Sequence, residues 1–384
     1  MTGAKMTNAS HDTNNNARVN ALLGANRPPM QVDIQGPKDV ATLRERWRQL
    51  EAIPVIVENR QDGVDQAWLG MDIRTYLRGE QSAARFSIHN IVLAPGAGLP
   101  AHYFEDVQTY FIVQDGQVEL QIGKLTEELG RYGLGFAPER TRQAFRNNSD
   151  APAMLMVAYS PAGFERAFDE AHQHWVKTGD ESQEAYAKIL SRHGFRFDSE
   201  PLANDDKTNT PVAPVEFDFR KDGEIAELRE KFYSRPAVPR LVRTPAETVD
   251  VDGKEVGFRK HLLTGDESGG NAMLNLVARI PDAPAHFQPT EEELFFIMDG
   301  PVRMLGATKT VIVDRGAFVF APRNCTHGFG RPTPTDDSRF ITLNSPAGHE
   351  RAMAHLRNMQ REGASREEQL EAAVAGGFRM QAVN

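Results

Sequence analysis

A single cysteine, Cys325, stands in 384 residues. An internal disulfide framework is therefore excluded, and one thiol fits a reducing compartment. No apolar run approaches the roughly 18 residues that a membrane-spanning helix needs. Met1 to Val19 lack the apolar core of a signal peptide. No dense Lys/Arg block offsets the formal net charge of −9, which argues against nucleic acid as the main partner. These absences together predict a soluble, cytoplasmic protein that works neither on nucleic acid nor in a membrane. Residues 1–31 lack any hydrophobic period and are rich in Asn, Thr, Ala and Gly, so a disordered tail is expected there.

What remains is long enough for two or three domains with sizeable cores. A helix is expected around Val40 to Glu51, with Leu43, Trp47 and Leu50 at helical spacing. Short β-type runs follow (Phe86 to Leu93, Thr109 to Val113, Gln117 to Ile122, Ala153 to Tyr159), with Asp115-Gly116 as a hairpin signal. Phe164, Phe168, Ala171 and Trp175 then mark one helix face, and Ser182 to Arg192 a second helix closed at His193-Gly194. His172 and His174 lie two apart on the first of these helices and point in nearly opposite directions, which does not suit a shared ion. Polar, Pro-bearing residues 198–215 read as a linker.

The second half repeats the first. Pro100-Ala101-His102 returns as Pro284-Ala285-His286, Asp115-Gly116 as Asp299-Gly300, and Ala137-Pro138 as Ala321-Pro322, each 184 residues on. Ser160-Pro161-Ala162-Gly163 returns as Ser345-Pro346-Ala347-Gly348 at 185. A near-constant offset over so many landmarks means tandem duplication. The two units are residues 32–197 and 216–384.

The stretch His286 to Gly300, answered by Pro322 to His327, carries the chemistry. Side chains two apart on a strand share a face, so His286 and Gln288 project together. Glu293 opens the next apolar run with Phe295 and Ile297 as face mates. Phe318 and Phe320, in the run leading to Pro322, are expected to join the lining of the same pocket. Two imidazoles, an amide oxygen and a carboxylate suit a divalent transition metal.

These residues resemble the two cupin motifs. His286, Glu293, Gly300, Gly316, Pro322 and His327 match, whereas Gln288 stands where the second His is usual. Ile280 replaces the leading Gly, Asn324 the internal Gly and Arg331 the final Asn. The resemblance covers roughly residues 32 to 380 and implies an all-β core with accessory helices, built as two tandem cupin (double-stranded β-helix, jelly-roll) barrels. The Ser-Pro-Ala-Gly-Phe-Glu-Arg ending is most similar to the quercetin 2,3-dioxygenase-like branch. The resemblance implies dioxygenase chemistry on an aromatic or enolisable substrate (flavonol, quinol or diketone), and a single complete ligand set predicts one divalent metal per chain, Fe(II) favoured over Ni, Mn, Co or Zn. Glu293 and Gln288 are then the catalytic candidates. The alternatives are a non-redox metal-dependent isomerase, cyclase or lyase, and a non-catalytic binding bicupin. A homodimer is compatible with either.

At the matching places the first half has His102, Phe104, Thr109 and Gln143, from which the carboxylate and one imidazole are gone. That barrel is expected to be a scaffold without metal. Cys325 reads as a small buried hydrophobe, Glu291 and Glu292 as solvated turn residues, and His349 as a surface or interface residue.

Overall fold

A computed structural model describes residues 27–58, 65–217, 219, 223–244, 258–278, 282–306 and 309–380. Most of the expected N-terminal tail, and Ile280, lie outside the described residues. Residues 27–31 are tied down: Arg27 Nη1 donates to the Glu80 carbonyl at 2.9 Å, and Met30 N to Glu80 Oε1 at 2.8 Å.

Each half is a two-sheet jelly roll. In the first, a seven-stranded sheet faces a four-stranded one; in the second, a six-stranded sheet faces a five-stranded one. The expected strands are present as Ser87–Leu93, Gln108–Asp115, Val118–Ile122 and Ala153–Ser160. The first helix runs from Pro37 to Arg48, with Val40, Leu43 and Trp47 buried. The helix Glu165–Thr178 buries Phe168 and Ala171, and Ser182 caps the helix Gln183–Arg192 by accepting from Ala185 N. Every described strand pairing is antiparallel, which is how one face of each sheet can be apolar and inward.

Two devices recur in both halves. Arg44 Nε donates to the Ala162 carbonyl at 2.7 Å and Arg229 Nε to the Ala347 carbonyl at 2.9 Å. Glu165 accepts from the Gly79 and Gly163 amides, and Glu350 from the Gly265 and Gly348 amides. Each buried carboxylate thus satisfies backbone donors that would otherwise be orphaned.

The halves also exchange strands. Val55–Val57 of the first pairs with Phe318–Ala321 of the second, while Arg240–Val242 of the second pairs with Leu134–Ala137 of the first. Between the barrels lies a shared core in which Phe86, Ile112 and Phe136 meet Leu294, Phe296, Phe318 and Phe320. This overturns the expectation that Phe318 and Phe320 line the pocket. Phe318 pairs with Phe296 and Phe320 with Leu294, on the outward face of the second barrel. Val319 and Ala321 take the inward positions beside Phe295 and Glu293. Both faces of this strand are apolar, so composition alone did not give its phase.

Segment 198–215 runs from the first barrel to the second half, where Val215 N donates to Asp266 Oδ1 at 2.7 Å. Asp205 is buried and accepts from Arg142 N at 3.0 Å, and Asn209 exchanges hydrogen bonds with the Leu241 backbone.

Candidate metal centre

His286 lies near the end of the strand Ala283–Phe287 and stands directly across from His327, the first residue of His327–Gly330. Glu293 is the second residue of Glu292–Asp299, opposite Ala321 on one side and Asn344 on the other. Their ligand atoms lie within 4.8 Å of one another, and all three residues are buried. It is the one such group among the described residues.

Backbone carbonyls fix both rings. His286 Nδ1 is 2.8 Å from the Pro284 carbonyl, and His327 Nδ1 is 2.9 Å from the Cys325 carbonyl. A carbonyl only accepts, so each Nδ1 carries the proton and each Nε2 is left as the lone-pair atom. His327 Nε2 faces Glu293 Oε2 at 3.0 Å. Two acceptors that close require a cation with them, either a proton on His327 or a metal ion shared by the set. Burial pushes the Glu293 carboxyl up, but the His327 hydrogen bond and the imidazoles of His327, His349 and His286 outweigh it and hold it at about 2. Burial, helped by neighbouring His327, lowers His286 to about 4. At neutral pH the triad therefore offers a carboxylate and a neutral imidazole, the states that bind metal.

Gln288 sits beside the triad, with Nε2 donating to Glu293 Oε2 at 3.3 Å. Its backbone carbonyl accepts from Asn324 N at 3.0 Å. Phe295 and Ile297 are in the barrel interior as expected, packed with Val319 and Phe340. Cys325 is buried, and burial pushes its thiol up to about 12.

Three expectations beside the triad fail. Glu291 is not solvated: Arg229 Nη2 donates to it at 2.6 Å and His349 Nδ1 lies 3.4 Å away. Glu292 is buried between Arg85 and Arg323. His349 is buried too, its ring 4.7 Å from that of Phe378. The triplet reads as a polar turn because its arginine partners are distant in sequence.

The polar wall of the second barrel was also missed. Strand pairing puts Arg259, His261, Asn275, Thr342 and Asn344 on the same inward face as Glu293 and Phe295. Arg259 Nη1 and both side-chain polar atoms of Asn344 are buried without hydrogen-bond partners. The signal was there: Asn275, Thr342 and Asn344 break otherwise apolar strands at alternate positions.

The first barrel is filled instead. Phe104 packs against Phe164 at 4.4 Å and Phe195 at 4.7 Å, and Gln143 Nε2 donates to Thr109 Oγ1 at 3.1 Å. By strand register Ile73 and Tyr159 replace Arg259 and Asn344. His102 keeps the same Nδ1 contact, 2.8 Å to the Pro100 carbonyl, but no carboxylate accompanies it.

Two jelly rolls in tandem, each with a histidine at the same strand end, decide the architecture. The fold is that of a bicupin. No family model and no curated protein sequence matches the chain. Among solved structures, Ylba from E. coli (family-model DUF861) is similar at 12% identity and TM-score 0.47, over 79% of this chain and 96% of that one. Bacillus subtilis oxalate decarboxylase, with its Mn(II) centers, is similar at 11% and 0.47, over 94% and 98%. Lactobacillus farciminis oxalate decarboxylase, in its formate complex, is similar at 11% and 0.45, over 83% and 96%. Likeness of this degree carries neither substrate nor metal over to this chain.

Proposed function

We propose that this chain is a metal-dependent enzyme whose second barrel holds one divalent transition metal through His286, Glu293 and His327. The observation that carries this reading is the convergence of two Nε2 lone pairs and a carboxylate, each imidazole locked by its Nδ1 contact. Two imidazoles and one carboxylate with open positions suit non-haem Fe(II), with Ni, Mn, Co and Zn compatible. When bound, such an ion stabilises an enolate as a Lewis acid and, if redox-active, opens chemistry with O₂.

The chain's own residues define the rest. Gln288 donates to Glu293 and fixes the carboxylate's orientation. Arg259 Nη1 and the Asn344 amide supply unsatisfied donors, and Asn344 Oδ1 an unsatisfied acceptor, on the interior wall. Phe295 and Ile297 close the apolar side. The substrate proposed is a small, oxygenated, enolisable molecule with an anionic oxygen for Arg259. A dioxygenase, acting on a diketone, a quinol or a flavonol-type phenolate, is the favoured reaction. The polar wall equally fits a second reading, a non-redox lyase or isomerase that needs only a stabilised enolate.

The test is elemental analysis of protein purified without added metal, followed by oxygen-electrode assays on β-diketones and phenolic acids. Metal with oxygen uptake supports the dioxygenase, and metal with turnover but no uptake supports the second reading. No metal retained after loading and gel filtration sinks both.

A further inference from the structure

The strand exchange leaves two clefts between the barrels, and the duplication makes them equivalent. One, of about 600 Å³, is walled by Ala83–Phe86 of the first half and Pro322–Asn324 of the second. The other, of about 350 Å³, has walls from Gly269 and Asn271 of the second half and Pro138 and Glu139 of the first. Backbone conformation matches across the pair. Ala83 and Ala84 share positive φ with Gly269 and Gly270, as Asn324 does with Arg140.

Their side chains differ in charge. Arg85, Glu292 and Arg323 in the larger cleft correspond to Asn271, Gln108 and Glu139 in the smaller. Both clefts do the same structural work, so the fold does not demand the arginines. Glu292 is only 1% exposed, and Arg85 and Arg323 reach its Oε1 from opposite halves of the chain. Arg323 Nε lies 2.8 Å from that oxygen without the alignment of a hydrogen bond, and Asn324 Oδ1 is buried without a partner. Two guanidinium groups share one carboxylate, while Arg48 on the same wall is paired with Glu45 and Glu51 also lines the cleft. Burial and the charge of Arg323 lower the Arg85 guanidinium to about 10. Like charges held this close and half-buried are costly unless an anion completes the set.

We propose that the larger cleft binds a small oxyanion, a carboxylate or phosphate group of a compact metabolite, between the forks of Arg85 and Arg323. Planar guanidinium groups hold such anions by paired, charge-assisted hydrogen bonds. Glu292 keeps the two forks apart and aimed, and Asn324 Oδ1 accepts from a hydroxyl on the same ligand. The cleft lies one turn from the metal centre, because the residues after Asn324 lead directly to His327.

Calorimetric titration of the full-length chain with inorganic phosphate and, separately, malonate tests this. One saturable equivalent is expected, unchanged by prior EDTA treatment, and the stronger of the two anions identifies the group. Arg85→Asn and Arg323→Gln should each weaken it about 10-fold or more, a common cost of losing a charged partner. Both should fold, since the equivalent cleft carries Asn271 and Glu139 at these places. Arg323→Lys, which keeps charge but loses the fork, should fall between, and Glu139→Gln in the other cleft should change nothing. Absence of saturation by either anion up to about 10 mM, equal binding by the arginine variants, or loss of binding with EDTA would each overturn the proposal. The last outcome would place the anion on the metal centre.

Discussion

Glu292 and Glu293 are consecutive on one strand and serve opposite faces of it. Glu293 points into the barrel, 3.0 Å from His327 Nε2, while Glu292 points out to Arg85 and Arg323 in the cleft between barrels. Alternation along a strand makes this unavoidable. The candidate metal centre and the seam between the halves are therefore built from the two sides of one peptide.

Metal content should be one equivalent per chain. His286→Ala should abolish it, and Glu293→Gln should do nearly as much, because it removes the only charge in the set. Gln288→Ala should retain the ion at about 10- to 100-fold lower affinity, as expected for a residue that orients a ligand. Dialysis against a competing chelator, read by elemental analysis, measures this. Loss in Gln288→Ala as complete as in His286→Ala would make Gln288 a ligand in its own right. Two equivalents surviving dialysis would contradict the single-site reading.

Residues 216–384 expressed alone should aggregate or dimerise. That fragment lacks Val55–Val57, which completes its six-stranded sheet, and it bares Leu294, Phe296, Phe318 and Phe320. In the full chain, Phe296→Ala should cost about 3–5 kcal/mol, the range for truncating a buried aromatic. A soluble, monodisperse fragment on gel filtration, or a Phe296→Ala variant as stable as the parent in urea, would contradict this account of the shared core.

Cys325 should resist iodoacetamide at pH 8 in the native protein and react once unfolded. Its thiol is buried and shifted up to about 12, so almost no thiolate is present. Mass spectrometry of labelled peptides reads the outcome, and rapid native labelling would show the site to be open.

Stability should fall as pH drops from about 6.5 toward 4. Burial holds His89 at about 3 and His102 at about 4, whereas an unfolded histidine titrates near 6.5. The unfolded chain then binds more protons than the native one across that window, so the unfolding free energy rises with pH there and is fully present above it. Urea midpoints of EDTA-treated protein between pH 7 and 4.5 check the sign. His102→Leu should flatten the slope by about one proton, and an unchanged slope would assign the effect elsewhere.

Much of the architecture was legible without coordinates. The 184- to 185-residue offset marked the tandem halves, because duplicated barrels keep their turns and helix starts at matching places. His286, Glu293 and His327 were legible because period-two alternation and turn residues carry a strand's face a short distance along the chain. Gln288 lies beside them, but its hydrogen bond to Glu293 depends on where the carboxylate of the next strand sits.

What the sequence determined was therefore local: strand starts, helix faces, the repeat, and which half carries the His286, Glu293 and His327 of the candidate site. Tertiary structure alone decided which face of an all-apolar strand turns inward, and so moved Phe318 and Phe320 from the pocket to the seam. It also decided that Glu291 and Glu292 are buried, since the groups that compensate them, Arg229, Arg85 and Arg323, come from 31 to 207 residues away, and that His349 is buried beside Glu291. Charge compensation and strand phase are set by contacts between distant segments, and local pattern does not encode them.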